Sequence, residues 1–392
     1  MSTRARLTAF FAALGALVVI AAVLTIVLRP AAVNAAAPAD FEISAGLDDC
    51  GHGWGAAAQD VAGGDQEFTV TNTTVAGIEV YLQSASSKKV YLDLESIGAG
   101  AHATARVTLG AGRYRFVCLP ADADPVRGPT VSVGASPHGV PLTPGVVPVT
   151  RNDLIPVAKA YSAWVSSRLP ALRQQVAAVA ADAEEGDLPG ARRDWLTAHT
   201  TYETLGAAYG AFGDLGDRID GLPRAGLTEF HLVESQLWHD GSAGDIAASS
   251  GTLVADIDQL QAAFADAQLD PGDVALRAHE IVEDAIEDAL TGATDAGSGS
   301  ELATVDANLT GAAAALAPLH DILADRYDRL GETEQSVADA QHLVESYRAA
   351  DGTWAPLGAL DRPARERVDA ALSHAAELLA PVAAICDPRR DS

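Results

Sequence analysis

The chain has 392 residues, enough for two or three domains. Its 53 acidic and 26 basic side chains give a formal net charge of −27, which excludes a nucleic-acid surface built from clustered Lys and Arg. With 48% apolar residues it is not an intrinsically disordered chain, and the charge suits cationic partners such as metal ions.

Arg4 and Arg6 precede an unbroken apolar run from Leu7 to Leu28, closed by Arg29 and Pro30. As a helix at about 1.5 Å per residue, the run reaches roughly 33 Å, enough to cross a bilayer core. A secretory signal has the same order, but its apolar part spans about 7–15 residues. Residues 1–37 are therefore expected to be a membrane anchor, with a cleaved signal as the competing reading. Both readings export the remainder.

Residues 41–133 read as a β-sandwich. Phe68–Thr74 alternates and ends in turn residues, and Gly77–Leu82, Val90–Leu94, Ala105–Leu109, Arg113–Cys118 and Pro129–Val133 continue the pattern. In an exported chain Cys50 and Cys118, which share this region, are expected to form a disulfide, with Cys386 left over. A blue-copper site needs two His, a Cys and usually an axial Met. The only Met is Met1, and none of His52, His102 and His138 closely follows Cys118. Residues 134–150 hold four prolines and read as an extended linker.

Residues 151–392 read as an all-α domain of stacked bundles, with helices expected near 153–184, 190–211, 225–240, 244–267, 272–291, 302–330, 333–350 and 361–385. This part holds 17 basic and 41 acidic side chains, a net −24, so the acidity of the chain belongs almost wholly to it.

Within that region His231 and Glu234 stand at i and i+3 on one helix face, flanked by Phe230, Leu232, Val233, Leu237 and Trp238. An imidazole and a carboxylate held among apolar residues need a partner, and a metal ion supplies one. The competing reading is a hydrogen bond joining two helices. Upstream, Glu203 lies on an amphipathic helix, and Asp214, Asp217 and Asp220 follow at i, i+3 and i+6. His279 and Glu283 share another helix face, and a second His-x-x-Glu occurs at His342 and Glu345.

Taken in order, Trp195, Tyr202-Glu203, Phe212-Gly213-Asp214-Leu215, Ile219-Asp220 and Phe230-His231-x-x-Glu234-x-x-Leu237-Trp238 resemble the imelysin (M75) family of the EfeO/EfeM type. Gly299–Gly311 and Asp351–Trp354 look like the same family's later segments. The β region resembles the cupredoxin-like domain that precedes the helical domain in the EfeO arrangement, through Phe68-x-Val70-x-Asn72 and Tyr114–Cys118. The resemblance implies an extracytoplasmic iron-binding component that passes iron to a membrane permease, alongside a secreted haem peroxidase. It assigns His231 and Glu234 as metal ligands and Glu203 as a further one. Its acidic loop position falls on Asp214, Asp217 or Asp220, with Asp217 favoured. Iron, ferric or ferrous, is the implied cargo; copper and zinc would accept the same ligand mixture.

The family's peptidase label finds little support here. A zincin needs His-Glu-x-x-His, whereas His279-Glu280-x-x-Glu283 ends in a carboxylate. A ferritin-like di-iron oxidase needs Glu-x-x-His pairs; the nearest match is Asp339-x-x-His342. An adhesive protein without metal is the remaining reading, if the His-x-x-Glu pairs only join helices.

Overall fold

In the computed structural model, residues 39–55, 61–223 and 226–390 are described. The expected anchor or signal, residues 1–37, lies outside them. The described residues fall into two compact units, one ending at Gly145 and one beginning at Val146.

Alternation of inward apolar and outward polar side chains builds the first unit. Its strands are β1 (Ala39–Ala45), β2 (Cys50–His52), β3 (Gly64–Asn72), β4 (Ile78–Ser84), β5 (Val90–Ile97), β6 (His102–Leu109), β7 (Gly112–Pro120), β8 (Val126–Arg127) and β9 (Val131–Val133). They form one sheet in the order β2-β1-β3-β6 and another in the order β5-β4-β7-β8, with β9 also on β7. β3 shows the pattern most clearly: Gln66, Phe68, Val70 and Asn72 are buried and the residues between them are not. β1, which the sequence reading did not name, pairs in parallel with β3 and sets Phe41 beside Phe68. Phe68, Phe116 and Trp54 meet edge-on, with ring centroids 5.2–5.5 Å apart, so residues of both sheets share one core. The disulfide between Cys50 on β2 and Cys118 on β7 ties the two sheets together.

The second unit is helical: α1 (Arg151–Ser166), α2 (Leu169–Glu185), α3 (Leu188–Glu203), α4 (Tyr209–Phe212), α5 (Asp214–Asp220), α6 (Glu229–Trp238), α7 (Ala243–Phe264), α8 (Asp273–Asp284), α9 (Glu301–Leu316), α10 (His320–Leu323), α11 (Leu330–Glu345) and α12 (Arg362–Ile385). Of the stretch read as a linker, residues 146–150 belong to this unit. Val149 is buried in its core, and the Thr150 side chain caps α1 by accepting from Asp153 N.

Three expected helices are broken, the one at 190–211 after Glu203, where a 3-10 turn, Gly206–Ala208, precedes α4. Residues 153–184 divide at Ser167 because Pro170 has no N–H to donate to a preceding turn and instead opens α2. Residues 302–330 divide at Pro318, where a 3-10 turn separates α9 from α10. α3 begins where expected: Asp187 accepts from Gly190 N at 3.0 Å, with Pro189 in the first turn. α8 continues into a π-helical turn, Ala285–Ala289, in which Leu290 N bonds Ala285 O.

Cys386 is a buried free thiol, pushed up to about 12 by burial. The stabilising crosslink is therefore Cys50–Cys118, which closes a loop with a sequence separation of 68. A Cys50→Ala, Cys118→Ala chain should lose about 4 kcal/mol from the β unit. Denaturant unfolding followed by far-UV circular dichroism measures this, and an unchanged β transition would contradict it.

Candidate metal centre

Five segments converge on one point. α3 buries Trp195, Ala198, His199, Tyr202 and Glu203 along a single face. α6 buries Phe230, His231, Val233, Glu234 and Leu237. The two helices are pinned together by Trp195 Nε1, which donates to Phe230 O at 3.0 Å. The Trp195 ring stacks on the His199 ring at 4.8 Å between centroids, and Phe230 lies 5.2 Å from the same imidazole. α5 supplies Asp220 as its last residue, and the chain returns through a contact in which Thr228 Oγ1 donates to Gly221 O. α9 supplies Asn308, and the loop before α9 supplies backbone N–H groups.

The centre of the arrangement is Asp220 Oδ1. His199 Nε2 and His231 Nε2 each approach it to 3.4 Å. His199 Nε2 also lies 3.4 Å from Glu203 Oε1. Ligand atoms of His199, Asp220 and His231 all fall within 4.8 Å of one another. A spacing of 3.4 Å is the edge of a tetrahedron whose centre lies about 2.1 Å from each corner, the usual metal–nitrogen or metal–oxygen distance. Yet Asp220 Oδ1 and both ring nitrogens of His199 are buried without a hydrogen bond. Their side chains are only 5% and 2% exposed. Each such unsatisfied atom costs about 1–3 kcal/mol, and a cation among them removes that cost.

Glu234 stands behind His231, outside this group. Its Oε2 lies 3.2 Å from His231 Nδ1, while its Oε1 accepts from Ala296 N and Ser298 N, both at 3.0 Å. A carboxylate only accepts, so a proton on His231 Nδ1 points at Glu234, and Nε2 is the ring nitrogen that faces Asp220. That is the carboxylate–imidazole relay that orients metal-binding histidines. Glu203 is held by Asn308, whose Nδ2 donates to Oε2 at 2.6 Å.

The charges are mutually dependent. Burial opposes the charge of His199, but Asp220, Glu203 and Glu234 outweigh it and raise the group from 6.5 to about 9. Burial and then the Asp220 charge push Glu203 up to about 8. Burial also works against Asp220, yet His199 and His231 hold it below its ordinary value. Glu234 is likewise held low against burial by His231 and Ser298.

Of the residues singled out in the sequence, the structure brings together His231, Glu203 and Asp220, with Glu234 one step behind. It does not bring in Asp214 or the favoured Asp217. Both are exposed in the first turn of α5, where solvated carboxylates suit the helix N-terminus. His279 and Glu283 pair with each other at 3.3 Å on α8, and Glu283 is exposed. His342 and Glu345 are exposed on α11. His199 was missed. Its signal was the i, i+4 spacing to Glu203 on a helix already expected to be amphipathic.

The chain is similar to proteins named as iron uptake system components. "Iron uptake system component EfeO" of Yersinia pestis is 24% identical over 304 residues, 74% of this chain and 78% of its own length. "Iron uptake system component EfeM" of Bacillus subtilis (strain 168) is 21% identical over 204 residues, 50% of this chain and 53% of its own. The chain thus spans about half the length of that relative. The protein named EfeM in Pseudomonas syringae pv. syringae (strain B728a) is 21% identical over 210 residues, 51% of this chain and 73% of its own. These relatives bear out the EfeO/EfeM resemblance; their names do not mention imelysin. No protein-family model matches the chain.

The raised groups give the metal-free protein a definite pH response. His199 favours the fold through its charged form, a contribution complete below 6.5 and lost as pH rises through about 9. Glu203 favours it through its protonated form, complete below 4.5 and lost through about 8. Thermal unfolding of the metal-free chain should therefore shift to lower temperature between pH 6.5 and 9. His199→Gln should make the fall smaller, and an equal fall in both proteins would contradict the assignment.

Proposed function

We propose that this EfeO/EfeM-type chain is the extracytoplasmic iron-binding component of an iron uptake system, capturing iron in its helical unit and delivering it to a membrane permease. The observation that carries the reading is Asp220 Oδ1, a buried carboxylate oxygen that makes no well-formed hydrogen bond and lies 3.4 Å from each of two imidazole nitrogens. With Glu203 the donors number two nitrogens and two carboxylates, which suits both oxidation states: ferric iron favours the oxygens, and ferrous iron also accepts imidazole. The relatives' names support reading the metal as iron, because this ligand set alone does not separate iron from zinc or copper.

In this reading His199, His231, Asp220 and Glu203 hold the ion, and Glu234 fixes the ring of His231. The N-terminal segment keeps the chain at the outer face of the membrane, near the permease. The β unit is read as cupredoxin-like on its residue resemblance, and a secreted haem peroxidase acts beside it on the iron supply. The −24 charge of the helical region raises the local concentration of cations.

Equilibrium dialysis against ferrous iron under anaerobic conditions, and against ferric citrate, tests the assignment. The wild-type chain should bind saturably, and both Asp220→Ala and His231→Ala should abolish binding. Glu234→Gln should retain binding but weaken it about 10–100-fold, the usual cost of losing an outer-shell partner. Binding unaffected by Asp220→Ala would overturn the site.

A further inference from the structure

The trio of His199, Asp220 and His231 is tight, but the cavity it borders is not. Asp220, His231 and Glu203 line a cavity of about 340 Å³, and so do Asp284 and Asp288. At about 30 Å³ per water, that space exceeds what a cation with six waters needs. The added donors are oxygens: two carboxylates, together with Thr294, Thr304 and Asn308. They suit a hydrated cation, whereas the inner donors suit a dehydrated one.

Asp284 and Asp288 stand at i and i+4, so they share one helix face. The helix passes from α-helical to π-helical geometry between them, with Leu290 N bonding Ala285 O and Ala293 N bonding Asp288 O, both at 2.9 Å. Such π turns are rare and recur at functional sites. Asp284 sits among acids. Burial raises its carboxyl, Glu280, Asp288 and Glu287 add to the rise, and the opposing Arg277 is already paired with Glu280 at 3.1 Å. A cluster of acids does not by itself make a site. Here the same cavity also contains Asp220, 95% buried by side chain, whose Oδ1 makes no well-formed hydrogen bond.

We infer that Asp284 and Asp288 form the outer stop of a vestibule, where a cation arrives with its water shell before exchanging those waters for the inner donors. This rests on the iron-binding reading. The pair acts on the rate of capture and does not join the final ligand set.

Trp195 stacks on His199, so iron at the inner donors quenches its fluorescence, and stopped-flow mixing with anaerobic Fe²⁺ follows capture directly. Asp284→Asn with Asp288→Asn should slow association about tenfold at low ionic strength, the lower end of electrostatic focusing. The difference should close in roughly 1 M salt. The saturated amplitude and the stoichiometry should match wild type. The control is Glu283→Gln with Glu287→Gln, which removes the same charge from positions on the same helix that do not line the cavity and should change the rate less than twofold. Equal slowing by both pairs, no slowing by the aspartate pair, or a reduced amplitude in it would each overturn the vestibule. Wild-type protein with no saturable quenching, or quenching retained in Asp220→Ala, would instead overturn the iron-binding reading beneath it.

Discussion

A buried carboxylate held between two imidazoles, with no well-formed hydrogen bond at Oδ1, is the constraint around which the helical unit is organised. Asp220 is costly to bury as an anion, and α5, α3 and α6 nevertheless bring it, His199 and His231 to one point. The surroundings supply rigidity. Trp195 clamps α3 to α6 through Phe230 O, and Glu234 is held by two backbone N–H groups while it orients His231. In the proposed site a cation would satisfy this oxygen and offset the cost of burying it.

The division between holding and orienting follows from hydrogen-bond accounting. Both oxygens of Glu234 are engaged, one by an imidazole and one by the 296–298 backbone. Glu203 has one oxygen on Asn308 and the other beside His199. In the proposed site the His-x-x-Glu pair is therefore one ligand with its support, and the second imidazole comes from a different helix. Acidity follows the same gradient. Carboxylates line the cavity at Asp284 and Asp288 and recur inside at Glu203 and Asp220, where nitrogens join them.

Much of this was legible from residue order. The alternation around Phe68 marked the strands, the Cys pair shared one region, and His231 with Glu234 stood out because apolar neighbours forced both inward. What was not legible depended on tertiary geometry. Asp214, Asp217 and Asp220 are equivalent as a string, and only the end of α5 and the turn at Gly221 decide that Asp220 faces the imidazoles. His199 sat in view four residues before Glu203, but one His on a helix with an apolar face is ordinary until a second helix brings its partner. Helix ends at Ser167 and near Pro318 follow from proline chemistry, which the long periodic runs around them mask.

The central claim is a location, so a location is the most direct test. Anomalous diffraction at the iron edge from crystals of the full chain loaded with iron should show its strongest peak about 2.1 Å from His199 Nε2, His231 Nε2 and Asp220. Glu234 should remain on His231 Nδ1. A peak coordinated by Glu234 in place of His199, a peak at Asp214 or Asp217, or no peak in this cavity would contradict it.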